Sequence, residues 1–309
     1  MNANVLRNVF FGSVIGTLMA LIPMSVFAAT DYYVSTSGSD ANSGTQSAPF
    51  RTIQKAANTV TAGGTVHVAP GTYAETITSA NNGTASSRIR FVSDTKWGAK
   101  IVPSSNTSTD TFWDNRGDYV TIDGFDVDGT NGSANWLSGI YTGGSYTVIQ
   151  NNHVHHISTN GIDSSKGGSG IGTDSYFGGV SDDVIGNVVN DIGPTSGTHF
   201  HGIYISTNGN ISNNLVYSIQ SDCLQSWHNA NHVKFINNTA FNCFNGAGVL
   251  VGGGNFYNGY TAGNDYSVVA NNIVYDSAYG IIENGTTGIH NIYTNNLVYK
   301  SVNYNWSLL

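Results

Sequence analysis

The residues of this sequence best suited to move protons lie in one short segment, HFHGIYIS, at positions 199–206. Histidine titrates near neutral pH, and a tyrosine hydroxyl can donate a proton to a departing oxygen. The pair His201 and Tyr204 therefore predicts a general base beside a general acid. We expect His199 to lie at the edge of the same site. The structural alternative is that these histidines are ordinary turn residues.

An apolar strand that runs into Asn-Asn, or a variant of it, recurs through the second half of the chain. The second Asn falls at positions 152, 187, 214, 238, 272 and 296. The spacing of about two dozen residues, with occasional insertions, is typical of the coils of a solenoid. Asn residues stacked at a turn can hydrogen-bond along the axis, so this repeat has a structural explanation.

A second repeated element, between the Asn positions, is centred on an aliphatic residue. Its members are Ile140, Ile171, Ile203, Leu224, Val249 and Ile281. We expect these side chains to point inward, with equivalent residues of successive coils about 4.8 Å apart. The chain lacks the heptads of a helical bundle, and its repeat is too regular for hairpin-linked antiparallel strands. The pattern predicts an all-β parallel β-helix.

Aligning the coils brings the polar residues of three neighbouring coils onto one face. These residues are Asp174, His201, Tyr204, Asp222, Gln225 and Trp227, with His199 and His228 at the edges. A neighbouring carboxylate would orient His201, and Asp174 and Asp222 are its predicted partners. Trp227 offers a flat surface on which a ring can stack. Tyr204 beside Tyr141 would also fit a structural aromatic ladder.

The first 28 residues have the features of a secretory signal peptide. Arg7 supplies a positive charge, residues 9–22 are apolar, and Val26-Phe27-Ala28 places small residues at a cleavage position. We expect export and a soluble mature chain, secreted or periplasmic, with an uncleaved anchor as the alternative. Loss of Arg7 changes the formal net charge from −8 to −9, which argues against a nucleic-acid partner.

The two cysteines, Cys223 and Cys243, would meet oxidising conditions after export. The repeat places them at different points of successive turns. We therefore favour buried thiols over a disulfide.

Residues 31–75 are predicted to cap a single β-helix domain that spans 29–309, with coils from about 76 onward. Ile53, Ala56, Ala57 and Val60 recur at helical spacing, and a helix suits the apolar end of a solenoid. The strings YYVSTSGSDANSG, SAPFRTIQKAA and GGTVHVAPGTYAE resemble the N-terminal block of secreted right-handed β-helix proteins in the pectate-lyase-like superfamily. The resemblance implies a right-handed parallel β-helix over the mature chain. It also implies activity on carbohydrate, since many members are polysaccharide lyases and others are glycoside hydrolases or uronate epimerases.

We therefore expect a polysaccharide lyase that cleaves a uronic-acid-containing glycan by β-elimination. This reaction needs a base, an acid, and a cation or hydrogen-bond donors to neutralise the carboxylate. The predicted catalytic residues are His201, Tyr204, Asp222 and His199, and the predicted substrate-binding residues are Gln225, Trp227, His228 and Lys166. An acidic protein would repel a polyanion unless a local cation intervened, so Asp174 and Asp163 are predicted to hold Ca²⁺.

Two other function classes remain open at this point. One is a glycoside hydrolase that uses Asp174 with Asp222, or the adjacent Asp182 and Asp183. The other is a non-catalytic glycan-binding or adhesive β-helix. Two further clusters could bind metal or be structural, namely Asp123, Asp126 and Asp128 in YVTIDGFDVDG, and His153, His155 and His156 in HVHH.

Overall fold

The computed structural model describes residues 30–104, 111–130, 137–159, 167–194 and 199–309. Within these ranges the chain forms one short helix, α1 (Ile53–Ala57), and twenty-eight strands. The first ten strands are β1 (Tyr32–Val34), β2 (Thr65–Val68), β3 (Gly71–Ala74), β4 (Ile77–Ser79), β5 (Ile89–Ser93), β6 (Ala99–Val102), β7 (Thr111–Asn115), β8 (Val120–Asp123), β9 (Asp126–Asp128) and β10 (Ser138–Thr142). The next nine are β11 (Val148–Gln150), β12 (His153–Ile157), β13 (Gly168–Thr173), β14 (Asp183–Ile185), β15 (Val188–Ile192), β16 (Phe200–Ile205), β17 (Gly209–Ser212), β18 (Leu215–Ile219) and β19 (Leu224–Ser226). The last nine are β20 (Val233–Ile236), β21 (Thr239–Cys243), β22 (Ala247–Gly253), β23 (Val268–Ala270), β24 (Ile273–Tyr275), β25 (Tyr279–Gly285), β26 (Ile292–Thr294), β27 (Leu297–Tyr299) and β28 (Tyr304–Ser307).

The strands form three parallel sheets, to which each full coil contributes one strand apiece. Sheet 1 has the order β1-β2-β5-β8-β11-β14-β17-β20-β23-β26. Sheet 2 has the order β28-β25-β22-β19-β16-β13-β10-β7-β4, and sheet 3 has the order β27-β24-β21-β18-β15-β12-β9-β6-β3. This architecture confirms the predicted right-handed parallel β-helix.

The predicted aliphatic column forms the interior of sheet 2. Ile140 pairs with Ile171, Ile171 with Ile203, Ile203 with Leu224, Leu224 with Val249, and Val249 with Ile281. All six side chains are fully buried. Burial of an aliphatic side chain of this size contributes about 1.5–3 kcal/mol, so each coil adds to a continuous core.

The Asn ladder lies where sheet 1 turns into sheet 3. From Asn187 onward, the Oδ1 of each ladder Asn accepts the backbone N–H of the ladder Asn in the preceding coil, as Asn214 does from Asn187 at 2.9 Å. Its Nδ2 donates to a backbone carbonyl, as Asn214 does to Val184 at 2.9 Å. The residue before the ladder position, such as Asn213 with φ of 58°, takes the left-handed conformation that Asn tolerates well. The ladder therefore satisfies backbone groups that the tight turn leaves without a partner.

Helix α1 lies at the N-terminal end of the sheets. It is shorter than the helix predicted from the spacing of apolar residues, which extended to Val60. The hydroxyl of Thr52 accepts the Lys55 N–H, and the Glu75 carboxylate accepts the N–H groups of Ile53 and Gln54 at 2.9 Å each. These acceptors satisfy donors that the first turn cannot satisfy itself. In the described ranges no helix is long and apolar enough to cross a membrane, and the predicted leader lies outside them.

The structure corrects the expectation for the cysteines, because Cys223 and Cys243 form a disulfide. In the neighbouring coils the position equivalent to Cys223 is a glycine, such as Gly202. A Cβ added to Gly202 would meet Val216 at 2.4 Å and Ile219 at 3.3 Å. In the disulfide coil Cys223 replaces that Gly, and strand pairing shows that Ala240 replaces Val216 and Cys243 replaces Ile219. The two positions belong to one coil and face each other across the corner between sheets 2 and 3.

We expect Asn214→Ala to lower the free energy of unfolding by about 3 kcal/mol or more, because it leaves several buried backbone and side-chain groups without partners. Asn213→Gly is the matched control at the adjacent exposed position. Glycine adopts the left-handed conformation there, so the expected change is within about 0.5 kcal/mol. Urea denaturation followed by circular dichroism measures both. Equal losses in the two variants would contradict a structural role for the ladder.

The coil pattern also predicts how the disulfide can be replaced. Cys223→Ala with Cys243→Ala should cost about 3 kcal/mol, as expected for a cross-link that closes a loop of this length. The triple substitution Cys223→Gly, Ala240→Val and Cys243→Ile restores the residues of the preceding coil and should recover part of that loss. Thermal unfolding with and without reductant tests this. A triple variant less stable than the double variant would refute the equivalence of the coils.

Candidate active-site groove

A groove of about 650 Å³ crosses the outer face of sheet 2 over strands β10, β13, β16 and β19. Eight residues predicted from the sequence line it, namely Asp174, His199, His201, Tyr204, Asp222, Gln225, Trp227 and His228. Two further predicted residues, Asp163 and Lys166, lie outside the described residues. The register of the coils thus brings these eight side chains onto one surface, although they are up to 54 positions apart in the sequence.

The floor of the groove is a glycine between two tyrosines. Tyr141, Gly172 and Tyr204 occupy equivalent positions on three successive strands. Two coil spacings separate the tyrosines by about 10 Å, which leaves room for a sugar ring between them. An added Cβ on Gly172 would meet Ser169 Oγ at 2.9 Å and the Tyr141 ring at 3.3 Å, so the opening depends on this glycine.

His201 lies buried in the groove with Asp222 as its acidic neighbour. His201 Nδ1 is 3.3 Å from Asp222 Oδ2, within ion-pair range but without the angles of a hydrogen bond. The other oxygen of Asp222 accepts the Ala247 N–H at 2.6 Å, so the backbone of the next coil holds this carboxylate in place. The structure thus places Asp222 beside His201, and its role in orienting that ring stays a prediction.

Asp174 has a different role from the predicted one. It accepts hydrogen bonds from the Tyr141 hydroxyl at 2.5 Å, the Ser206 hydroxyl at 2.8 Å and the Tyr176 N–H at 2.9 Å. The groups of potential metal ligands that the described residues form do not include Asp174. Its carboxylate positions Tyr141, and Asp222, not Asp174, is the aspartate in ion-pair range of His201. The predicted calcium site of Asp174 with Asp163 stays a prediction, because Asp163 lies outside the described residues.

Tyr204 lies between two histidines. Its ring centre is 5.4 Å from that of His201 and 6.1 Å from that of His228. Burial raises the pKa of Tyr204 well above its usual value, and the nearby Tyr257, Asp174 and Tyr141 raise it further. The hydroxyl carries its proton at neutral pH, as an ordinary tyrosine does.

Tyr257 is a groove residue that sequence reasoning missed. Its hydroxyl lies 2.5 Å from His228 Nε2, while His228 Nδ1 lies 2.8 Å from the carbonyl of Asn255. Because a carbonyl only accepts, Nδ1 carries the proton and Tyr257 donates to Nε2. Burial raises the pKa of Tyr257 to about 12. The one sequence signal was the long interval between Asn238 and Asn272, which marks the insertion that carries this tyrosine.

Two insertions meet at one side of the groove. The amide of Asn258 donates to the Ser175 carbonyl at 3.2 Å, and the Tyr176 and Tyr257 rings pack edge to face at 5.3 Å. The Trp227 indole, which also lines the groove, lies against glycines. Added Cβ atoms on Gly252 and Gly285 would meet it at 2.5 and 2.6 Å. These contacts fix the orientation of the indole that lines the groove.

Two buried polar atoms of the groove, His201 Nδ1 and Gln225 Oε1, have no hydrogen-bond partner among the described residues. Buried polar atoms are usually partnered, and such exceptions are concentrated at functional sites. A ligand hydroxyl could donate to Gln225 Oε1. The groove therefore combines proton-transfer groups with polar atoms suited to a hydroxyl-rich ligand.

The paired acids Asp182 and Asp183 lie outside the groove. Asp182 is fully buried, and its Oδ1 accepts the Thr147 N–H at 2.9 Å. Asp183 accepts hydrogen bonds from the backbone and side-chain amides of Asn210 at 3.0 and 2.7 Å. Both carboxylates thus hold neighbouring coils together, and the groove does not contain them.

The family model described as "Pel9A-like, right handed beta helix region" matches residues 32–308. A curated relative, the uncharacterized protein YwoF of Bacillus subtilis (strain 168), is 30% identical over 171 residues, which is 50% of this chain and 36% of YwoF. Among solved structures, a rhamnogalacturonan lyase is 18% identical with a TM-score of 0.59, over 82% of this chain and 73% of its own. An alginate lyase from Paenibacillus sp. str. FPU-7 is 15% identical with a TM-score of 0.62, over 82% of this chain and 94% of its own. At these identities the two structures show the fold alone.

The burial of Asp182 predicts a pH-dependent effect on stability. Burial raises its pKa well above the usual value, so the folded state favours the neutral carboxylic acid. Its contribution to stability is therefore present at low pH and is lost as pH rises through the folded-state pKa. Asp182→Asn should raise the free energy of unfolding at pH 8 and change it little at pH 4, in denaturant titrations. Asp183→Asn is the control and should show no such gain. A loss at pH 8 for Asp182→Asn would contradict this account.

Proposed function

As the chain belongs to the Pel9A-like right-handed β-helix family, we propose that it is a polysaccharide lyase that cleaves a uronic-acid-containing glycan by β-elimination. The observation that carries this proposal is the arrangement of one groove, in which His201 Nδ1 lies 3.3 Å from Asp222 Oδ2 and the His201 ring centre lies 5.4 Å from that of Tyr204. The proposal includes export, which rests on the leader features of residues 1–28.

His201 is the proposed base. A proton on Nδ1 directed at Asp222 leaves the lone pair of Nε2 for the substrate, as in other histidines held by a carboxylate. Nε2 takes the proton on the carbon beside the uronate carboxylate. The electron pair of that C–H bond forms the new double bond, and the bond from the adjacent carbon to the glycosidic oxygen breaks.

Tyr204 is the proposed acid. A tyrosine hydroxyl is protonated at neutral pH, so Tyr204 can give its proton to the leaving glycosidic oxygen. One proton thus reaches His201 and one leaves Tyr204, and exchange with solvent restores both. The pair of Tyr257 with His228 lies beside Tyr204, and its hydrogen bonds fix the His228 ring in the groove wall.

The uronate carboxylate must be neutralised while the adjacent carbon loses its proton. The described lining contains no lysine or arginine, but the side-chain amides of Gln225 and Asn284 can donate hydrogen bonds. Lys166 stays a predicted contributor outside the described residues. The described groove also offers no set of oxygen ligands that would suit Ca²⁺, since Asp174 already accepts three protein hydrogen bonds. We therefore derive no step through calcium.

The test is a panel of acidic glycans that starts with alginate and rhamnogalacturonan, the substrates that name the two similar structures. The wild-type protein should yield unsaturated products that absorb in the ultraviolet. His201→Ala and Tyr204→Phe should each lower kcat by about 10²- to 10⁴-fold, because each removes a proton-transfer group. His67→Ala and Tyr217→Phe are matched controls on sheets 1 and 3, and both should retain wild-type rates.

Any other outcome of these assays would indicate a different function. Release of reducing ends without ultraviolet absorbance would indicate hydrolysis instead of elimination. Glycan binding that survives in both groove variants, without turnover of any substrate, would indicate a non-catalytic adhesive β-helix. Assays with EDTA and with added Ca²⁺ form a separate arm. Loss of activity in EDTA that Ca²⁺ restores would show a calcium requirement.

A further inference from the structure

Outside the groove, the outer face of sheet 3 carries a cluster of histidine and aspartate side chains. His153 pairs with Asp126, and His155 with Asp128, on the neighbouring strands β12 and β9. Asp126 Oδ1 lies 3.1 Å from His153 Nδ1 and 2.9 Å from His155 Nε2. The three atoms lie within 4.8 Å of one another. Two imidazole nitrogens and one carboxylate oxygen therefore converge on one point.

In the neutral ring of His153, the surrounding hydrogen bonds leave Nδ1, the nitrogen that faces Asp126, without a proton. Asn190 Nδ2 donates to Asp191 Oδ2 at 2.7 Å, so Asn190 presents its oxygen to His153 Nε2 at 2.9 Å. Nε2 must then carry the proton of the neutral ring, and Nδ1 has a lone pair. This lone pair faces the Asp126 carboxylate, so either a second proton on the ring or a metal cation must lie between the two acceptors.

The second imidazole is positioned in a similar way. His155 Nδ1 lies 2.6 Å from His156 Nδ1, so one of the two rings donates to the other. When His155 is the donor, its Nε2 is free to bind a cation. The His153 and His155 rings are stacked with centres 4.1 Å apart, which directs both nitrogens toward Asp126. Such outer hydrogen bonds are the usual means by which proteins orient metal-binding histidines.

Lys100 leaves one oxygen of Asp126 available. Its Nζ lies 3.1 Å from Oδ2 of both Asp126 and Asp128. Asp128 Oδ1 accepts from the backbone and hydroxyl of Thr130, so both of its oxygens are engaged. Asp126 Oδ1 instead faces only the histidines. The donor set at this point is therefore two nitrogens and one oxygen, with a second carboxylate and a lysine outside it.

We propose that Asp126, His153 and His155 bind a divalent transition-metal ion, with Zn²⁺ as the expected ion. Imidazole and carboxylate donors suit Zn²⁺, whereas Ca²⁺ requires six or more oxygen ligands. Tetrahedral Zn²⁺ places its ligand atoms about 3.3 Å apart, so the present separations of 2.9 and 3.1 Å need to open only slightly. The site joins adjacent coils on a sheet that does not carry the groove, so we assign it a stabilising role. This inference does not depend on the proposed lyase activity.

The test uses the full-length protein, purified without a histidine tag and treated with a chelator. Isothermal titration with ZnCl₂ should give one tight site, and Co²⁺ should give the visible absorption of a low-symmetry site with nitrogen ligands. At a Zn²⁺ concentration of about 100 times Kd, the melting temperature should rise by about 5 °C. His153→Ala, His155→Ala and Asp126→Asn should each weaken Zn²⁺ binding by about 100-fold. Circular dichroism in the presence of chelator confirms that each variant is folded.

His67→Ala is the matched control, because His67 pairs with Asp94 at 2.9 Å on sheet 1. This variant should bind Zn²⁺ as the wild-type protein does. Absence of Zn²⁺ binding to the wild-type protein would overturn the proposal and leave a His–Asp cluster held by protons and Lys100. Binding that is unchanged in all three site variants would also overturn it, since the ion would then lie elsewhere.

Discussion

The parallel pairing of successive coils is the constraint on which the rest of this structure depends. Each strand hydrogen-bonds to the strand one coil away, so a residue's neighbours are set by register and not by sequence distance. The Asn ladder holds that register at the turn between sheets 1 and 3, where Asn187, Asn214 and Asn238 bond from coil to coil at 2.9 to 3.1 Å. A slip of one residue would exchange inward and outward side chains on every coil. The groove and the histidine–aspartate cluster both exist because the register is kept.

Much of this arrangement could be predicted from the sequence, because the repeat is periodic. The Asn positions gave the coil length, and the aliphatic column gave the inward face of sheet 2, so His201 and Tyr204 stood out as polar exceptions on its outer face. The side-chain partners were harder to predict. Asp174 and Asp222 are on opposite sides of the His201 coil and have the same charge, yet Asp222 lies beside His201 and Asp174 accepts from Tyr141. Repeat alignment gives the position of a residue but not the direction of its side chain.

Residues that depart from the repeat determine features of the structure that the repeat alone does not predict. Cys223, Ala240 and Cys243 occupy the positions held in the preceding coil by Gly202, Val216 and Ile219. The three changes compensate one another, because Cys223 is larger than the glycine it replaces, and Ala240 and Cys243 are smaller than the residues they replace. Tyr257 was missed for the opposite reason. It lies in an insertion whose conformation no repeat determines, and its contact with His228 became evident only from the folded chain.

The two aspartates of the groove show how an acidic protein can accept an acidic ligand. Asp174 accepts hydrogen bonds from three donors, on Tyr141, Ser206 and Tyr176. Asp222 accepts hydrogen bonds from the Ala247 N–H and the Ser221 hydroxyl. Hydrogen bonds of this kind stabilise the charge of a carboxylate and reduce its effect on a nearby anion. The donors that can meet a ligand include the Tyr204 hydroxyl and the side-chain amides of Gln225 and Asn284. If the proposed lyase function holds, recognition of a uronate in this groove would depend on directed donors, and the carboxylates would position the side chains that act on it.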